Sequence, residues 1–149
     1  MSHLPDTTPQ ERFSVALHTT ARSWRSGLDA RLKDLGVGQS GWYTIAMVAK
    51  SKTELSQRAL ADLLGVEGPS VVAMLDRLER AGLVLRAPCP LDRRVKLVHL
   101  TDAGRDLYAK VRKEADAFRA SVLESVDPAA LAAATALLEA LHGRIEEML

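Results

Sequence analysis

One cysteine stands among 149 residues, which excludes an internal disulfide framework and fits a reducing cytoplasm. Aromatic residues make up 4% of the chain, so only six rings are available to build a core or a ligand wall. Neither sign of charge dominates: 20 Lys and Arg stand against 19 Asp and Glu, for a net charge of +1. That balance argues against a chain coated in nucleic acid, although local patches can hide inside a neutral total. No apolar run approaches the roughly 20 residues needed to span a bilayer, and the longest uncharged stretch near the C-terminus is Pro128–Leu138. Residues 1–6 lack the basic patch and apolar run of a signal peptide, so the expectation is a cytoplasmic protein with no membrane partner.

Catalytic and metal chemistry is equally thin. The four histidines, at 3, 18, 99 and 142, form no i,i+4 pair and have no cysteine cluster beside them for zinc. Gly36-Val-Gly38-Gln-Ser-Gly41 matches the dinucleotide fingerprint letter for letter, but a long helical pattern precedes it where a strand is required. Ser40 is no nucleophile elbow, because Trp42 takes the place of the second glycine. The expectation is no enzyme, no cofactor and no metal.

What the chain does have is helical periodicity, with 47% hydrophobic and 26% charged residues, enough for one domain with helical extensions. Residues 1–10 read as a loose tail. Leu17, Ala21, Trp24, Leu28, Leu32 and Leu35 then recur at spacings of three and four, marking one face of a long helix that glycines 36, 38 and 41 end. Trp42–Lys50 reads as a compact buried helix, and Thr53–Leu55 as a brief strand. Ser56 is placed to cap a short helix over Gln57–Leu64 that stops at Gly65. Gly68-Pro69-Ser70 opens the next helix with proline at the first helical position; Val71, Leu75 and Leu78 form its inner face and Gly82 its left-handed end.

Leu83–Ala87 and Val95–Leu100 read as two strands joined by a seven-residue loop with two prolines, long for a hairpin and therefore protruding. Thr101 caps a long helix with Leu107, Val111, Ala115, Phe118 and Val122 on one side. Asp127-Pro128 starts a last helix with Leu131, Ala134, Leu138, Leu141, Ile145 and Met148 stepping by three and four.

Helix, turn, helix and hairpin in that order form a helix-turn-helix followed by a β-wing. The expected fold is mainly α with a small β-wing: a winged helix-turn-helix core over residues 37–101, flanked by helical dimerisation segments at 11–36 and 102–149. The long stripes cannot all be buried on so small a core, and their 3/4 spacing suits burial on one another and on a second copy. A homodimer with paired DNA half-sites about one helical turn apart is the economical arrangement.

The wing concentrates charge. Arg86, Arg93, Arg94 and Lys96 against Asp92 give +3 within eleven residues. Arginine at the tip of a narrow hairpin suits an A·T-rich minor groove, and Asp92 can hold the Arg94 guanidinium by a charge-assisted hydrogen bond. The plainer alternative is an exposed turn with solvated charges. On the second helix of the pair the outward residues are Pro69, Ser70, Ala73, Arg77 and Arg80. The Ser70 hydroxyl and the backbone N–H groups of that first turn can meet a phosphate, and Arg77 a phosphate or a guanine edge. Arg77 and Arg80 could equally pair with Asp76 and Glu79. Ser56, Gln57 and Arg58, opening the preceding helix, are further phosphate candidates. Cys89 lies in the wing near Arg93 and Arg94, where positive charge favours thiolate chemistry, but a passive small side chain is the simpler reading of it.

The run LSQRALADLLGVEGPSVVAMLDRLERAGLVLRAPCPLDRRVKLVHLTDAG, residues 55–104, resembles the MarR family of transcription regulators. GPS-x-V-x-x-L-D-x-L-E and C-x-x-DRR-x-K within it are similar to the SlyA-like branch, with Asp92-Arg93-Arg94 and Val98-His99-Leu100-Thr101 carrying the wing motif. The resemblance implies a dimeric winged-helix regulator of palindromic, double-stranded promoter DNA, in which Arg94 inserts and Asp92 positions it. It also implies tuning by a small aromatic carboxylate. Trp42 and Arg86 match pocket positions in SlyA-like relatives, Trp24 and Tyr43 are further candidates, and an indole wall with a guanidinium would suit a benzoate-type anion. SlyA-like proteins usually carry arginine where this chain has Ala73, which removes one groove contact. The rival expectations are a small-molecule or redox sensor, or a winged helix used for protein interaction, each with little DNA affinity of its own.

The charge total conceals a division. Residues 57–96 hold seven basic and five acidic residues, whereas 102–149 hold six and nine.

Overall fold

A computed structural model describes residues 7–149. The chain divides into two compact units, the first running to Phe118 and the second over Arg119–Leu149. Residues 1–6, most of the expected tail, lie outside the described residues. The tail is shorter than its composition suggests, because α1 (Pro9–Leu32) begins two residues before the expected start at 11. The cause is a capping box: Thr8 accepts from the Glu11 amide while the Glu11 carboxylate accepts from the Thr8 amide, at 3.2 and 2.8 Å. Pro9, in the first turn, has no N–H to leave unpaired.

A 3₁₀ turn, Lys33–Leu35, closes α1 and ends on Gly36 at φ 75°, a conformation that side chains with a Cβ rarely adopt. Of the glycines in the fingerprint-like run, Gly36 therefore ends one helical segment, while Gly38 and Gly41 lie in the first turns of the next helix, with no strand before them. Next come α2 (Gly38–Lys50), the two-residue strand β1 (Leu55–Ser56), α3 (Gln57–Leu64) and α4 (Gly68–Arg80). The Ser56 hydroxyl caps α3 by accepting from the Ala59 amide at 3.0 Å, and Gly65 ends it in the left-handed region. β2 (Val84–Pro88) and β3 (Lys96–Leu100) form the wing, and α5 (Asp102–Leu123) and α6 (Pro128–Met148) complete the chain.

The expected hairpin is one half of a three-stranded antiparallel sheet in the order β1-β3-β2. Leu55 pairs with Val98 and Ser56 with Leu97, so the start of α3 is fastened to the strand that returns from the wing. On the other side Arg86 sits opposite Val98 and Pro88 opposite Lys96. Leu97 and Val98 are both buried, as β3 is covered where its neighbours hold it.

The core of the first unit gathers one face from each element. Ile45, Leu60 and Leu75 are wholly inaccessible, with Leu32, Val71 and Val84 nearly so; Leu107, Val111 and Ala115 of α5 close it. Thr44 is the one buried polar side chain of this core among the described residues, and its hydroxyl is satisfied by the Ser40 carbonyl at 2.7 Å. The N-terminal half of α1 is different. Phe13, Val15 and Leu17 are exposed, and only Leu28 and Leu32 of the helix are buried. In the second unit α6, capped by Asp127 on the Ala130 amide, buries no residue at all.

α5 starts against the base of the wing at a close approach. The Thr101 hydroxyl donates to the Gly82 carbonyl at 2.6 Å and accepts from the Gly104 amide at 3.0 Å, while the Thr101 amide reaches the Leu83 carbonyl. A Cβ on Gly104 would stand 2.1 Å from the Leu83 carbonyl oxygen, a backbone atom that cannot swing aside. Gly104→Ala is therefore expected to destabilise the fold by about 1–3 kcal/mol. Denaturant unfolding checks this, and a midpoint equal to the wild-type value would show that α5 can shift without cost.

Candidate nucleic-acid interface

Asp92 and Arg94 form a clasp at the wing tip. The Arg94 Nε donates to Asp92 Oδ1 at 3.0 Å, its Nη2 donates to Oδ2 at 3.1 Å, and its backbone amide also donates to Oδ1 at 3.1 Å. The loop is closed beneath them by the Val95 amide on the Asp92 carbonyl, 2.9 Å, and the Cys89 amide on the Val95 carbonyl, 2.8 Å. Arg94 is held in this way although its side chain is 90% exposed, so the guanidinium is fixed while still facing solvent. The side-chain hydrogen bond from Arg94, reinforced by the one from its amide, lowers the Asp92 pKa; the same pairing raises that of Arg94. Arg93 and Lys96 are exposed beside the clasp and make no ion pair among the described residues.

The helix pair presents a second surface. Pro69, Ser70, Ala73 and Arg77 all lie on the exposed side of α4, with Val71, Met74, Leu75 and Leu78 on the buried side. The backbone of the first turn differs from expectation: the Ser70 and Val71 amides are already taken by the Glu67 carbonyl, at 3.1 and 3.2 Å. A phosphate there would meet the Ser70 hydroxyl and not those two N–H groups. On α3 the Ser56 oxygen is occupied by its capping bond, which leaves its proton to donate. The Gln57 side-chain carbonyl accepts from Arg86 at 3.2 Å, so only its amide nitrogen remains for an outside partner.

Arg86 occupies a position that its spacing did not reveal. Its Nε reaches Glu79 Oε2 at 2.8 Å, Nη2 reaches both Glu79 and Asp76, and Nη1 reaches Gln57. The hydrogen bond to Asp76 contributes most to raising its pKa, with Glu79 next, against the opposing cost of partial burial. Sequence reasoning offered Arg77 and Arg80 as the partners of these two carboxylates. A strand residue claims them instead, leaving Arg77 and Arg80 with no ion pair among the described residues. The i,i+3 spacing of Asp76 and Glu79, which puts both on one side of α4, was the only signal of a shared partner.

The four aromatic-acid candidates are each engaged by other partners or by one another. Trp42 is buried, with its Nε1 3.4 Å from Asp29 Oδ1 and Tyr43 edge-on at 5.9 Å. Trp24 packs edge-on to Phe118 at 5.2 Å, and Arg86 is committed to its carboxylates. A cleft of about 540 Å³ opens elsewhere, between the end of α2, β3 and the start of α5, lined by Val48, Lys52, His99 and Tyr108 among others. Cys89 is partly exposed and unbonded to another cysteine, at the foot of the wing loop. No group of three or more histidine, cysteine or carboxylate side chains that could hold a metal ion occurs among the described residues, and no single helix among them is long and apolar enough to cross a membrane.

Two stacked helices, the second exposed along one side, followed by a wing tipped with a fixed arginine, define a winged-helix regulator. Comparison with known proteins agrees. The MarR family model matches residues 35–95. The solved structure of transcriptional regulator PA3341 is 36% identical and superposes with a TM-score of 0.84, covering 91% of this chain and 98% of that one. CouR from Rhodococcus jostii RHA1, solved bound to p-coumaroyl-CoA, is 21% identical with a TM-score of 0.78 over 91% of this chain and 95% of that chain. The transcriptional regulator SlyA is 17% identical with a TM-score of 0.78 over 91% of this chain and 94% of its own; at such identities the likeness is one of fold. The chain belongs to the MarR family, and is a transcriptional regulator of that kind, not an enzyme.

The clasp has a pH signature. A carboxylate whose folded pKa lies below its unfolded value of roughly 3.9 holds its partner fully above that value and releases it as pH falls through the lowered one. The Asp92 carboxyl should therefore titrate below the usual aspartate range in a side-chain NMR titration, and return to that range in Arg94→Ala. An unshifted midpoint in the wild type would show that the clasp does not persist in solution.

Proposed function

We propose that the protein regulates transcription by binding palindromic promoter DNA as a homodimer, with α4 in the major groove and the Arg94 wing tip in the minor groove. The Asp92–Arg94 clasp is the observation that carries this reading. A solvated surface arginine samples many rotamers, whereas this one is held by two side-chain bonds with its outer edge open. That is the arrangement a narrow, electronegative groove rewards. Around it, Arg93 and Lys96 on the wing and Arg77 on α4 supply uncommitted positive charge, and Ser70, Pro69 and Ala73 make a face small enough for close approach to base edges. Ser56 and Gln57 lie at the start of α3, where phosphate contacts fix orientation without reading sequence.

The dimer reading rests on uncovered apolar surface. Phe13 and Leu17 on α1, four residues apart, and Leu131, Leu138 and Ile145 on α6 are exposed at helical spacing. In α6 the three fall seven residues apart, with Leu141 and Met148 between and beyond, the pattern of a helix that buries its stripe on another helix. On this reading 11–36 and 102–149 are dimerisation segments, 37–101 is the DNA-binding domain and the setting is the cytoplasm. A small aromatic acid acting here would meet Trp42 and Tyr43 without a free guanidinium, because Arg86 is already paired.

Selection of bound sequences from random duplex DNA tests the reading and yields the operator. On that operator, Arg94→Ala should cost about 1–3 kcal/mol, with the slope of log affinity against log salt falling by about 1 if a phosphate contact is lost. Unchanged affinity would remove the wing from the interface, and no enrichment by the wild-type protein would overturn the DNA reading itself. Leu138→Asp should drive sedimenting species toward the monomer and weaken operator binding together; a variant that stays dimeric would place the interface away from this stripe.

A further inference from the structure

We infer that Arg86 is a positioning residue for DNA recognition, a tether that sets the recognition helix against the wing without touching DNA itself. Three elements meet on this one guanidinium. It stands on β2 opposite Val98, it binds Asp76 and Glu79 of α4, and it binds Gln57 in the first turn of α3. Its side chain is only 18% exposed, whereas the two carboxylates are 39% and 38% exposed, so the charge that joins the elements lies beneath the surface that its partners reach. This inference rests on the DNA reading above and adds to it what holds the two DNA-facing elements in register.

The geometry explains why arginine is suited to the position. A planar guanidinium can address two carboxylates and an amide carbonyl from separate edges, whereas a lysine ammonium is a point charge on a flexible stem. The β2–β3 ladder fixes Arg86 to the wing, and the helical spacing of Asp76 and Glu79 fixes both to one side of α4. A shift of α4 along its axis, or a swing of the wing, must break several of these bonds together. Specific recognition requires α4 and the wing to enter neighbouring grooves at a set separation, whereas non-specific attraction to phosphates does not.

Simple electrostatics and the tether make opposite forecasts for the same variant, which is what makes the idea testable. Asp76→Asn with Glu79→Gln removes two negative charges from a helix facing DNA, so charge alone would tighten binding to every duplex. The tether instead requires weaker operator binding, by about tenfold, with binding to an unrelated duplex unchanged or tighter. Arg86→Met should lower operator affinity to a similar extent while keeping the wild-type salt slope, since no phosphate contact is lost, and Arg86→Lys should recover part of the loss. In the free proteins, amide hydrogen exchange in α4 and β2 should quicken in both the Asn/Gln and the Met variants.

Operator binding that tightens in the Asn/Gln variant would overturn the tether. So would a shallower salt slope in Arg86→Met, which would make Arg86 a phosphate contact, or unchanged exchange in α4 and β2. Should Arg86→Met not fold, the Asn/Gln variant carries the test alone. A wild-type protein that enriches no sequence would refute the DNA reading separately, while the exchange measurement still decides whether Arg86 couples the two elements.

Discussion

The close packing of α5 on the base of the wing is the constraint on which the rest of the domain depends. Thr101 donates to Gly82 in the turn that follows α4, accepts from the first turn of α5 and comes directly after β3, so one short side chain closes the junction of helix, strand and helix. Gly104 lets α5 come into contact with the Leu83 carbonyl, and from there Leu107, Val111 and Ala115 run into the core. With this junction fixed, β3 has a set direction. Its pairing with β1 then holds the start of α3, and its pairing with β2 carries the wing outward. A small sheet so anchored can project a loop into solvent without relying on the loop's own residues for stability.

Local chemistry made much of this legible from the chain. Ser56 as a cap, Gly65 as a stop, Thr101 before α5 and Asp127 before α6 all act on neighbours within four residues and stand where the spacing put them, while Pro69, expected to be the first residue of its helix, is the second because α4 begins at Gly68. The strands differ by a residue, since Val84 and Lys96 begin the regular ladder where Leu83 and Val95 were expected. Thr8 and Glu11 form an equally local box, yet proline and threonine composition there read as tail, so α1 starts earlier than the spacing of its apolar stripe implied.

Long-range chemistry was far less visible. The brief strand expected at Thr53–Leu55 forms at Leu55–Ser56, but nothing local joins Leu55 to Val98, 43 positions away in the chain, and that pairing follows from tertiary packing alone. Arg86 read as part of the wing's charge or as a ligand for an organic anion, and not as an internal ion pair. Only the fold brings Asp76, Glu79 and Gln57 around it. The wing clasp was readable because Asp92 and Arg94 are two residues apart, within reach of each other whatever the remainder of the chain does. Legibility therefore tracked sequence separation more closely than it tracked functional weight.

The Asp92–Arg94 clasp also bears on how quickly a complex could form. Two of the five guanidinium donors are already engaged by Asp92, and fewer rotamers of the side chain are compatible with those bonds than with a free arginine. The entropic cost of ordering a long arginine is thereby borne in the free protein, so less of the interaction is consumed when a partner arrives. A finger stiffened in advance favours lock-and-key docking over search and adjustment. On the proposed DNA reading, selectivity then falls to the partner's own shape, because a groove too wide for the clasped guanidinium gains little from it.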